Sequence, residues 1–341
     1  MTFSKFVVST TASAVAALLL CGAAVAQEYS WTFQTSETAG EPGFINKQKW
    51  ADSVTELSGG RIEIELLPIG AVVPHTDTLE AVGAGILQGH LTDPSYFAGK
   101  DPAFAMMGNL VGAWSDPFEL LGFMKSGGGN DLYAELVEPY GVQLIGTAAT
   151  EPEAFVASIP LRGVEDLQGL KLRAPEGMVY EIFSKAGAAP VALPGSEVFT
   201  ALDKGVIDAA DYTVFAANQG QGMNDIANYP LYPGFHSLPL IDISMNKETW
   251  DGLPDDLKAI LRASVDQFIF QHVYSVRQQD AEAVAEAKQN PDIEIINWSA
   301  DERAKFRRIA QDEWQSWAEK SDMTQRYYDT VIEYLEGRNL L

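Results

Sequence analysis

The run Leu170-Lys171-Leu172-Arg173 alternates apolar and basic residues between Gly169 and Pro175. Alternation of this kind predicts a short strand with the two leucines on one face and Lys171 and Arg173 on the other. An arginine at the end of such a strand has two uses: a salt bridge on a solvated sheet edge, or a planar fork that grips a carboxylate through two parallel hydrogen bonds.

Catalytic patterns are missing from the sequence. The four histidines, His75, His90, His236 and His272, form neither an H-E-x-x-H motif nor a pair four residues apart. There is no G-x-S-x-G elbow, no Walker A loop and no G-x-G-x-x-G. The glycine-rich stretch "SGGGND" is not followed by a phosphate-binding Lys-Ser/Thr and reads as a turn before a helix. In so acidic a chain any one pair of carboxylates is weak evidence for acid–base work. The residues point to binding rather than to turnover.

The first 26 residues read as a secretory leader: Lys5, a short apolar core, then small residues at Ala24 and Ala26 ahead of Gln27. Cleavage there removes Cys21, the single cysteine, leaving no disulfide, no thiol nucleophile and no zinc-thiolate site. Leu20 is a poor fit to a lipobox ahead of that cysteine. With 47 acidic against 23 basic residues the net charge is −24, and loss of Lys5 makes the mature balance more negative still. Such a surface repels nucleic acid and anionic membranes. No second long apolar run follows, so no direct membrane insertion is expected.

Length and rhythm predict an α/β protein of two domains. "YSWTFQT" and "RIEIELLP" alternate as strands around a helix that stops at Gly59-Gly60, and the β-α rhythm returns between about 150 and 215. "SLPLIDISMN" is an apolar strand able to bring the chain back to the first unit. From Pro254 to about Lys288 no glycine or proline occurs, and apolar residues recur at helical spacing, so one helix of ~35 residues, ~50 Å long, is expected to run across both units. The expected division is residues 27–149 with 238–253 as the first domain and 150–237 with 290–341 as the second. Residues 254–289 form the connecting helix. The C-terminal helix carries an apolar face of Tyr327, Val331, Tyr334 and Leu335, which packs either on its own chain or on a second copy as a homodimer.

The segment "GAAPVALPGSEVFTALDKGVIDAAD", closely following "DLQGLKLR", resembles the substrate-binding subunit of tripartite ATP-independent periplasmic (TRAP) transporters, the dicarboxylate-receptor family. "DPSYFAGKDPAFAM" and "YPLYPGFHS" are further similar to the branch of that family that takes keto- and hydroxy-acids. The resemblance covers nearly the whole mature chain. It implies a periplasmic binding protein of two α/β domains joined by a hinge, closing on a small organic acid and handing it to membrane subunits of a transporter. The same fold also serves sensor kinases, and a secreted enzyme acting on organic acids is the remaining alternative.

By the same resemblance Arg173 holds the ligand carboxylate. A family glutamine aligns with Glu151, the family's acid-tryptophan pair with Asp211-Tyr212, and the position of its third acid with Ser237, beside His236. Two readings stay open for Glu151 and Asp211. They clasp a cation, Ca²⁺ or Na⁺, held together with the ligand, or they bind hydroxyls or a positive group of the ligand itself. Tyr96, Tyr212 and Phe235 are the candidates for walling the ligand, while Trp31, Trp50, Trp250 and Trp298 are read as packing residues.

Overall fold

The computed structural model describes residue 1 and residues 27–341 apart from Glu176 and Pro194. The leader expected at the N-terminus, with Cys21, falls on residues 2–26, outside the described residues. The first unit opens with β1 (Tyr29–Thr35), α1 (Pro42–Leu57), β2 (Ile62–Leu67), α2 (Thr78–Gly83) and β3 (Gly89–Thr92). It continues through α3 (Pro102–Gly108), α4 (Pro117–Ser126) and α5 (Gly129–Val137) into β4 (Val142–Ala149).

Local chemistry accounts for these boundaries. In β2, Ile62, Ile64 and Leu66 are buried while Glu63 and Glu65 are exposed, the two-residue period of a half-covered strand. Asp101 and Asp116 cap α3 and α4 by accepting from the N–H groups of Ala103 and Phe118, and a proline sits first in each helix.

The second unit holds β5 (Phe155–Ala157), β6 (Lys171–Arg173), α6 (Met178–Lys185), β7 (Ala189–Val191), α7 (Val198–Asp203), β8 (Ala209–Asp211), α8 (Phe215–Gly220) and α9 (Met223–Ile226). Then β9 (Leu240–Asn246) returns to the first sheet, followed by α10 (Lys247–Asp251), α11 (Asp255–Ala287), α12 (Ala300–Ala318) and α13 (Asp322–Glu336).

The first sheet has the order β2-β1-β3-β9-β4, with β1 parallel to both β2 and β3 and with β9 antiparallel to its neighbours. The second has the order β5-β8-β6-β7, with β6 parallel to β7 and β8. Up to the end of α11 the chain passes between the units at three places. It leaves β4 through residues 150–154, returns into β9 through 235–239, and crosses again along α11. The first two crossings are neighbours, because Ala149 pairs with Leu240.

The 33 residues of α11 pack on α1 and β4 in the first unit and on α8 in the second. The helix buries Leu257, Leu261, Val265, Phe268, Ile269, His272 and Val273, the spacing read from the sequence. None of the described helices is long and apolar enough to cross a membrane.

The C-terminal region departs from the expected division. Helix α12 packs on α6, but α13 packs on α3 and α5 of the first unit, so residues 290–341 are shared between the two. Its aromatic face is spent there, with Tyr327, Val331 and Leu335 fully buried and Tyr334 set edge-on against Trp114 and Phe123. Gly122 and Gly127 make room for that ring, since a Cβ on either would meet Tyr334 at 2.6 or 2.5 Å. An amphipathic helix buries its stripe on the nearest apolar surface, and here that surface belongs to the same chain. The face is therefore closed to a second copy, and the homodimer expected through it has no surface left. Trp31, Trp50, Trp250 and Trp298 are all buried packing residues, as expected.

Candidate functional site

Parallel sheets leave a crevice outside the carboxyl ends of their strands, and ligands bind there. Arg173 is the last residue of β6 and Asp211 the last of β8, on adjacent strands in which Arg173 pairs with Ala210. From the first sheet, β3 ends at Thr92 and hands over to Asp93. Arg173 Nε donates to the Leu193 carbonyl at 3.1 Å and Nη1 to the Asp211 carbonyl at 2.7 Å. The guanidinium is thus aimed by two backbone oxygens, and among the described residues it makes no ion pair. Its carbon lies 5.9 Å from the centre of the Tyr212 ring.

Asp211 is 2% exposed, and its Oδ1 accepts from His236 Nε2 at 2.5 Å. His236 is as deeply buried, with its ring held edge-on by Phe155 and flanked by Phe183 and Phe235. Its Nδ1 has no partner among the described residues. Glu153, which sequence reasoning passed over, completes the group: one ligating atom from each of Glu153, Asp211 and His236 lies within 4.8 Å of the others. The Ser237 hydroxyl donates to Glu153 Oε2 and accepts from Asn109 Nδ2 at 2.6 Å.

Burial pushes the Glu153 carboxyl well above the usual range, the negative charge of Asp211 adds to this, and the Ser237 hydrogen bond opposes it. Asp93, also passed over, is pushed up to about 6 by burial, against the hydrogen bonds from Ser95 and the charge of Lys47. It heads the short helical turn Pro94–Phe97 by accepting from the Ser95 N–H at 2.8 Å. The Asp-Pro dipeptide, repeated at 101 and 116, is the signal by which sequence reading finds it. Lys47, 2% exposed in α1, pairs with Glu37 at 2.9 Å and reaches the Thr35 hydroxyl and the Leu91 carbonyl. A lysine on a helix face gives no such signal in sequence.

Glu151 stands apart from this group. Its Oε1 accepts from Arg277 Nε at 2.7 Å, and the same guanidinium reaches Asp116 at 2.9 Å through Nη2. Burial raises the Glu151 carboxyl and Arg277 holds it back. Asp211 is brought together with Glu153 and His236, while Glu151 is bonded to Arg277, so of the two readings of Glu151 and Asp211 the shared cation has no assembled pair to hold it. A guanidinium on α11 meets the charge at 151 instead.

Tyr96 is 39% exposed, yet its hydroxyl is raised by desolvation and by Asp93 and Glu153, while Arg173 opposes the shift. The ring is partly exposed, but its hydroxyl end lies in a poorly solvated place near two acids. Tyr212 is shifted the same way, chiefly by burial and then by Glu41. Phe235 is half-buried and spends its ring on packing. It stacks on Trp298 at 4.0 Å and meets Phe306 edge-on, a core residue that backs His236.

A Ca²⁺ ion takes six to eight oxygen ligands. Glu153 and Asp211 supply carboxylate oxygens, but the third member of the set is an imidazole nitrogen already bonded to one of them. The donor set fits a hard cation poorly.

The family model described as "Bacterial extracellular solute-binding protein, family 7" matches residues 33–321. A monocarboxylate 2-oxoacid-binding periplasmic protein of Nostoc sp. is 30% identical over 243 residues, covering 69% of this chain and 64% of that protein, just under two thirds of its length. A TRAP periplasmic solute binding protein from Rhodobacter sphaeroides, solved in an apo open form, shares 50% identity with a TM-score of 0.81, covering 91% of this chain and 99% of its own. Another from Colwellia psychrerythraea, solved with calcium and pyruvate, has the same fold at 22% identity and TM-score 0.80, covering 92% and 95%. The chain belongs to the bacterial extracellular solute-binding proteins of family 7, the substrate-binding proteins of TRAP transporters.

Proposed function

We propose that this chain is a periplasmic receptor that captures a small organic acid and presents it to the membrane subunits of a TRAP-type transporter, making and breaking no covalent bond. The ligand carboxylate docks on Arg173, Tyr96 and Tyr212 flank it, and Asp93, Glu153, Asp211 and His236 select its remainder. The two units close on it by bending at the paired crossings 150–154 and 235–239, with α11 as the third connection.

The observation that carries this reading is the state of Arg173. Its guanidinium is held by two carbonyls at a strand end, without a carboxylate partner among the described residues, in a protein where acids outnumber bases two to one. A fork aimed and left unneutralised in an acidic cleft suits a bidentate anion.

The test is a thermal-shift screen of the mature protein against small organic acids, followed by titration of the hits into Arg173→Ala. A ligand at a hundred times its Kd adds ~2.7 kcal/mol, a shift of a few degrees. The variant should keep its circular dichroism spectrum and lose at least a hundredfold in affinity. Unchanged affinity overturns the assignment.

A further inference from the structure

The charges in the cleft do not balance around a simple organic anion. Of its two cations, Lys47 is already paired with Glu37, which leaves Arg173 facing the three carboxylates of Asp93, Glu153 and Asp211. Arg173 and Glu153 feel one another's charge but form no ion pair. One wall therefore carries a positive and a negative pole side by side and unjoined. A monoanion neutralises only the first pole. It leaves the three acids, two of them already raised by burial, to be shut into a cleft that loses its water with no partner for their charged forms, and a buried charge without a partner is costly.

The compensating charge comes from a bound ion or from the ligand. The geometry favours the ligand. His236 is buried on every side and turns Nε2 onto Asp211 Oδ1, which fixes the plane of that carboxylate. Ser237 donates to Glu153 and offers no charge. A hard ion loses an oxygen ligand by each of these two features. An ammonium group needs only three acceptors around three N–H donors, and the carboxylates provide them.

We propose that the captured acid is a zwitterion, its carboxylate on Arg173 and an ammonium or similar N–H cation between Glu153 and Asp211. This rests on the reading of Arg173 given above. It names the ligand class as amino acids rather than keto- or hydroxy-acids carried with a metal ion.

The experiment compares matched pairs by calorimetry in EDTA, then in Ca²⁺: alanine with lactate, 3-aminopropanoate with 3-hydroxypropanoate, 4-aminobutanoate with 4-hydroxybutanoate, and proline with the non-basic tetrahydrofuroate. The amino member of at least one pair should bind at least tenfold tighter in EDTA. Glu153→Gln should erase that preference and Glu153→Asp should retain it, which separates a charge effect from a folding defect. Binding of hydroxy- or keto-acids alone, only in Ca²⁺, overturns the proposal, as does failure of every amino member to bind. A hydroxy-acid hit abolished by Arg173→Ala leaves the receptor reading standing while this one falls. A hit untouched by Arg173→Ala removes the receptor site itself.

Discussion

Glu153 and Ser237 lie 84 positions apart and are bonded twice. The Glu153 N–H donates to the Ser237 carbonyl at 3.0 Å, and the Ser237 hydroxyl donates to the Glu153 carboxylate. This double link ties the two neighbouring crossings together at the place where a ligand-selecting acid stands. Under the proposed closure at these crossings, a ligand that engages Glu153 would act directly on the segment that bends.

Ser237→Ala tests the link. Both polar partners of the hydroxyl, Glu153 and Asn109, lose a bond in a poorly solvated place, which should cost about 1–3 kcal/mol. Urea unfolding should show a lowered midpoint with an unchanged slope. A midpoint equal to that of the parent protein means that water replaces the hydroxyl freely and the link is not structural.

Glu151→Gln separates the two acids of the first crossing. Glu151 answers to Arg277, whose side chain is half exposed, so the stability loss should be about 1 kcal/mol. Ligand affinity should stay within about threefold, against the loss expected for Glu153→Gln. Equal losses of affinity for the two variants would return Glu151 to the site.

Asp280, fully buried in α11, accepts from the Ala216 N–H at 2.7 Å, and burial pushes its carboxyl up to about 7. The unfolded value is ~3.9, so the folded state binds the proton more tightly. Stability from this group is complete below pH ~4, falls as pH rises toward 7, and stays low above. At about 1.4 kcal/mol per pKa unit the loss is ~4 kcal/mol at most. Asp280→Asn keeps an acceptor for Ala216 and removes the charge, so it should stabilise the protein at pH 8 and have little effect near pH 4. Parallel stability profiles for parent and variant across that range would exclude Asp280 as the source.

The last helix makes a contrasting pair of predictions. Tyr327→Ala should cost about 3–5 kcal/mol through the cavity it leaves. Tyr327→Phe should be neutral or stabilising, because the hydroxyl is buried without a partner among the described residues. Neither should change the elution volume in size-exclusion chromatography. A shift in oligomeric state would mean that the face is shared between copies after all.

Periodicity and punctuation made the elements legible. The alternation in β2 and the apolar spacing of α11 are local properties, written within a few residues and found where they were expected, and the Asp-Pro caps of α3 and α4 are equally local. Arg173 at the end of β6 was legible for the same reason, since strand phase and strand end are both local. What sequence alone did not decide was which side chains share a space. Glu151 and Glu153 are two acids two residues apart, and no local pattern separates them. Arg277, 126 positions from Glu151, takes the first, and Ser237, 84 positions from Glu153, takes the second. The destination of the aromatic face on α13 was open in the same way, because an amphipathic stripe requires burial but does not name its partner. Sequence determined the secondary structure, the family and the place of Arg173 at a strand end. The pairing of charges and the sharing of surfaces depend on contacts between residues far apart in the chain, and only the tertiary structure brings those together.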